Sequence, residues 1–155
     1  MDNLAGVMAK LTEKKKLFLE YENITGNISI CDYEEMAACF EKRDALQGKI
    51  ENIDMEITAL CSLAQGGEIM AAYKNECGAS AVPPELLPIF TLGQETRAAI
   101  TRIKRSEPLI EERLKSEKER LEKDIKNIEG NRKVNAFLNN IVEKDNSGIM
   151  LNIKK

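Results

Sequence analysis

Leu46-Gln-Gly-Lys-Ile50-Glu-Asn-Ile53-Asp-Met-Glu-Ile57-Thr-Ala-Leu60-Cys-Ser-Leu-Ala64 decides the fold. Its apolar residues Leu46, Ile50, Ile53, Ile57, Leu60 and Ala64 recur at alternating intervals of four and three. That spacing keeps one side of an α-helix apolar and matches the a/d seam of packed helices. Met36 and Phe40 extend the stripe upstream. Asp32 supplies an N-cap, and Glu35, three residues on, completes the capping-box pattern. Gly66-Gly67 is the expected stop.

The rest of the chain falls around this helix. Leu4, Leu11 and Phe18 are seven apart, and Val7, Tyr21 and Ile28 form a companion row that Lys14 interrupts. They predict a first helix over Asp2–Ile28, joined by a short loop and hence antiparallel to the second. From Glu68 to Pro88 the pattern is least regular. EIMAAYKNEC suits a short helix, and GASAVPPE suits a loop leading to a helix that starts at Pro84 or Pro88.

Ile100, Ile103, Ile110, Leu114, Leu121, Ile125 and Ile128 then mark a third long helix, with Glu107 and Glu117 where apolar residues are expected. From Lys104 to Lys126, 15 of 23 residues are charged, seven acidic and eight basic. Several make favourable i,i+4 pairs, as in a solvated helix face. Pro108 should kink or break it. Gly130 and Asn131 read as a hinge or cap. Val134, Phe137, Leu138, Ile141 and Val142 follow at helical spacing, a full amphipathic face in a short segment. Ile149, Leu151 and Ile153 alternate with other residues in an extended-looking tail. The expectation is an all-α, elongated antiparallel hairpin with a long third helix and a short C-terminal amphipathic helix. The body is 1–129 and the hinged segment 130–155 of a single domain.

Composition narrows the function. Leu, Ile, Val and Phe make up 39 of 155 residues, enough for a core. No His is present, which removes the commonest general base and transition-metal ligand. Cys31, Cys39, Cys61 and Cys77 form no Cys-x-x-Cys pair, and are expected to be reduced thiols. No serine has a histidine to activate it, and no glycine-rich phosphate loop occurs. The expectation is no enzyme: no catalytic residues, no metal site and no cofactor. A net charge of −3 argues against nucleic acid. The basic patches Arg102, Lys104 and Arg105, then Arg132 and Lys133, have no interleaved aromatics. The N-terminal MDNLAGVMAKLTEKKK lacks a secretory pattern, and no stretch reaches a membrane span, so no membrane insertion and a cytoplasmic location are expected.

What remains is a surface. The face from Val134 to Val142 either folds back to complete a bundle or covers a partner helix. The seams of the first two helices could equally bury against a second copy, giving a homodimer or structural coiled-coil module.

Four stretches, CDYEEM, EKRDALQGKIENID, GNRKVNAF and SGIMLNIKK, together with the helical layout, resemble the FlgN-like flagellar export chaperones. Gly130 followed seven residues later by an aromatic resembles a glycine-basic stretch running to a Tyr in that family; here the aromatic is Phe137. The likeness covers nearly the whole chain through motifs of low individual specificity. It implies a cytoplasmic chaperone of the flagellar type III export system. Such a chaperone binds the C-terminal helices of hook–filament junction proteins, prevents early assembly and delivers them to the export gate. By resemblance, Val134–Val142 would bind substrate and Phe137 would help dock on the export-gate component. A filament-cap export chaperone has a similar helical build.

Overall fold

The computed structural model describes the backbone of residues 2–63 and 65–154 and the side chains of 3–63 and 65–143. The fold is all-α, and no strand occurs among the described residues. Its helices are α1 (Asp2–Ile28), α2 (Tyr33–Cys61), α3 (Gly66–Lys74) and α4 (Leu87–Lys154), with short 3-10 turns at Ala79–Ala81 and Pro84–Leu86. The chain forms two compact units, Met1–Glu111 and Glu112–Lys155.

In the first unit α1 and α2 form the expected hairpin. Four residues connect them, with Ser29 and Cys31 amides donating to the Gly26 and Asn27 carbonyls at 3.2 and 2.9 Å. Asp32 caps α2 with its main chain: its carbonyl accepts from the Met36 amide at 2.9 Å. The capping box itself is not made, since the Asp32 side chain forms no cap hydrogen bond. Glu34 and Glu35 still place negative charge at the helix's positive end.

Met36, Leu46, Ile50, Ile53 and Ile57 are buried, so the seam read from the sequence is the inward face of α2. The helix stops earlier than expected, at Cys61. The Ser62 hydroxyl donates to the Ala59 carbonyl at 2.7 Å and its amide to Thr58 at 3.0 Å, closing the last turn. Ala64, the expected last seam residue, lies outside the described residues. Gly66 and Gly67 open α3 instead of ending α2. At Gly66 a Cβ would fall 1.6 Å from the Cys61 carbonyl oxygen, so only glycine lets the chain return so closely.

The short helix expected from EIMAAYKNEC is α3. Asn75, left-handed at φ 55°, ends it. Arg97 of α4 donates to the Tyr73 carbonyl at 3.0 Å and to the Asn75 side chain, so one guanidinium satisfies the end of α3. Both proline signals were used: Pro84 opens a 3-10 turn, and Pro88 stands in the first turn of α4, where a missing amide costs nothing.

The main core gathers Val7 and Leu11 of α1, Ile53 and Ile57 of α2, Ile69 of α3, and Ile89, Phe90 and Leu92 of α4. A smaller cluster, Ile28, Met36 and Ile110, closes the other end. There α1 ends and α2 begins, and the first unit closes one residue later, at Glu111. The division therefore falls ahead of the expected boundary at Gly130, where packing against α1 and α2 runs out.

The charged residues that interrupt the stripes have partners. Lys14 pairs with Asp54 at 2.5 Å and lies 5.9 and 5.7 Å from the Phe18 and Tyr73 ring centres. Glu107 accepts from Arg43 of α2, which is only 7% exposed. Arg43 also donates to the Tyr21 hydroxyl at 2.6 Å, and its guanidinium sits 4.5 Å from that ring's centre. A buried cation thus explains an acid in an otherwise apolar row.

The expected break at Gly130-Asn131 is absent: both residues are helical, as are Pro108 and the tail to Lys154. A glycine in a helix interior costs about 1 kcal/mol. That is too little to stop a helix flanked by Glu129, Arg132, Lys133 and Ala136. Pro108 removes one hydrogen bond to the Lys104 carbonyl, yet the helix continues on both sides. The third and C-terminal helices are therefore one element, α4, and the tail is helical, not extended.

A candidate helix-binding face

From Glu112 to Lys154 the second unit is a single stretch of helix, which fixes the direction of each described side chain by its number. At 100° per residue, Val134, Phe137, Leu138, Ile141 and Val142 fall within an arc of about 140°. All five are exposed, from 40% at Ile141 to 64% at Phe137. The same side of the preceding turns carries Ser116, Glu119, Arg120, Lys123 and Asn127, so the apolar face begins abruptly. Five adjacent large apolar groups in water are a contact surface in search of a cover. Gly130 and Asn131 stand just ahead of it as ordinary helical residues, and a Cβ at Gly130 would meet nothing within 4 Å.

The first unit offers a different kind of site. An open cavity of about 230 Å³ lies between α1, α2 and the start of α4. Phe18, Tyr21, Ile50, Ile100 and Ile103 form its apolar wall, and Gln47, Glu51, Lys104 and Glu107 its rim. It brings together no nucleophile, base and oxyanion donor. No group of three or more metal-ligating side chains occurs among the described residues. Cys31, Cys39, Cys61 and Cys77 are half-buried, and burial pushes the Cys61 thiol up.

In the basic patch of Arg102, Lys104 and Arg105, Arg102 is already paired. Arg102 donates to both Glu22 carboxylate oxygens, at 2.5 and 3.0 Å. The Arg102 hydrogen bond holds the Glu22 carboxyl below its ordinary value. No helix among the described residues is long and apolar enough to cross a membrane.

Sequence reading missed Arg43. The misplaced Glu107 was its only signal: an acid in an apolar row asks for a buried cation opposite. No protein family, curated protein or solved structure matches the chain.

Proposed function

We propose that the protein is a helix-binding export chaperone of the FlgN-like type. On this reading it holds the C-terminal helices of hook–filament junction proteins until they reach the export gate. The observation that carries it is the exposed face of Val134, Phe137, Leu138, Ile141 and Val142. An unassembled export substrate ends in an apolar helical surface, and a helical face of this size can cover one by the helix-in-groove mode. The flagellar assignment rests on the sequence resemblance, and the helix-binding role on the face itself. The α1 and α2 seams are largely buried within the chain, which removes the surface that a structural module built on them would use.

Calorimetric titration of the full chain with C-terminal helical fragments of the host's junction proteins tests the proposal. Micromolar binding, abolished by Phe137→Asp with Leu138→Asp, is the expected result. Binding that survives this change would move the site off this face. Binding only to filament-cap fragments would reassign the substrate, and no binding to either would end the export reading.

A further inference from the structure

Pro108 lies where the first unit holds α4 most lightly. Its nitrogen carries no hydrogen, so the Lys104 carbonyl loses its usual donor, and the ring crowds that carbonyl. The turn therefore leans on side chains for support. From residue 104 to 111, Ile110 is the one buried residue, 2% exposed and clustered with Ile28 and Met36. Glu107 adds its ion pair with Arg43 of α2. Pro108 and Leu109, between these two anchors, are exposed.

The packing beneath this turn is thin. Ile100, Ile103, Lys104 and Glu107 line the open cavity of about 230 Å³ from the α4 side. The ion pair is also incompletely satisfied: Arg43 Nη1 is buried with no hydrogen-bond partner. An unmet buried donor is a cost that the folded turn carries and that contact with water would relieve. The other end of the first unit is different. There Ile89, Phe90 and Leu92 share one large cluster with residues of α1, α2 and α3.

We propose that residues 104–111 of α4 form a latch, which the Arg43–Glu107 pair and Ile110 hold shut and which opens while the main core stays closed. Opening breaks one ion pair, one buried isoleucine contact and a turn already short of a hydrogen bond. It uncovers Ile28 and Met36, and it lets water reach Arg43. Cys39 packs on the same small cluster, so its thiol becomes more accessible in the open state. The latch is independent of the helix-binding reading, because none of its residues belongs to the Val134–Val142 face.

Hydrogen exchange of the full chain, read amide by amide, tests the proposal, with thiol labelling of Cys39 beside it. Amides 109–112 report on the latch, since their helical hydrogen bonds run across the proline turn. They are expected to exchange faster than the slowest amides of α1 and α2, the sign of a local opening. Glu107→Ala should speed them roughly tenfold or more, because a hydrogen bond to a charged group is lost. Labelling of Cys39 should quicken by a similar factor. Pro108→Ala restores the missing donor and should slow both. Circular dichroism shows whether each variant is folded; should Glu107→Ala fail to fold, Glu107→Gln is the milder variant and must speed both readouts. Amides 109–112 that exchange as slowly as the core overturn the proposal, since the turn then opens only with the whole fold. So do amides that the Glu107 change leaves unmoved, and amides that quicken while Cys39 labelling does not.

Discussion

From Ile89 to Ile110, α4 buries Ile89, Phe90, Leu92, Ala99, Ile103 and Ile110 against the first unit's core; from Leu114 to Val142 its large apolar side chains are exposed or half-buried. The two lengths of helix use similar residues at similar spacing. What differs is the neighbour. In the first unit even the misplaced charges have in-chain partners, Lys14 with Asp54 and Glu107 with Arg43. In the second unit apolar groups face water. The same amphipathic pattern is therefore structural where a partner exists in the chain and available for binding where none does.

That contrast can be broken by mutation. Ile89→Ala should cost about 2–5 kcal/mol of unfolding free energy in urea, because Ile89 is fully buried. Phe137→Ala should cost less than about 0.5 kcal/mol, since an exposed ring leaves no cavity. Comparable losses at the two positions would mean that the Val134–Val142 face is packed in solution, and would undo the comparison. Glu107→Ala should destabilise by about 1–3 kcal/mol, reduced by the partial exposure of its side chain, because Arg43 stays buried without its acid. Arg43→Met with Glu107→Met should recover most of that loss, which sharpens the view that the pair fills a gap in an apolar row.

Gly130→Ala is the next smaller test. It should strengthen helix in the second unit by about 0.5–1 kcal/mol, seen as slower amide exchange around residue 130. If exchange there is already slow, or quickens, the glycine is not the weak point of this helix. The smallest expected effect is on pH. Arg102 holds the Glu22 carboxyl below its ordinary value of 4.5. A lowered folded value means the stabilisation is present above the unfolded value and is lost as pH falls through the folded one. Glu22→Gln should flatten that acid limb slightly, and added salt should shrink the difference, since the pair is partly exposed.

Much of the fold was legible, for physical reasons. The bounds of α1, the start of α2 and the entry to α4 rest on apolar spacing, an Asp cap and two prolines, all local signals. The end of α2 was misread because Gly66-Gly67 resembles a C-cap, whereas Ser62 had already closed the helix and Gly66 was needed for close passage past Cys61. Gly130 was over-read for a similar reason: one glycine is a modest penalty against many helix formers. The exposed face was legible as an apolar face, but not as exposed, because burial depends on what stands opposite. Arg43 was illegible except through Glu107, since its partners lie 22 and 64 residues away in the chain.

The placement of the cysteines has an experimental consequence. Cys31 and Cys39 pack on the small cluster of Ile28, Met36 and Ile110, whereas Cys61 and Cys77 pack on the main core. With no Trp in the chain, intrinsic fluorescence says little about opening. The four thiols form two native reporter pairs, one for each end of the first unit. The order in which a thiol reagent reaches them would time the opening of the two clusters separately, without a label being introduced.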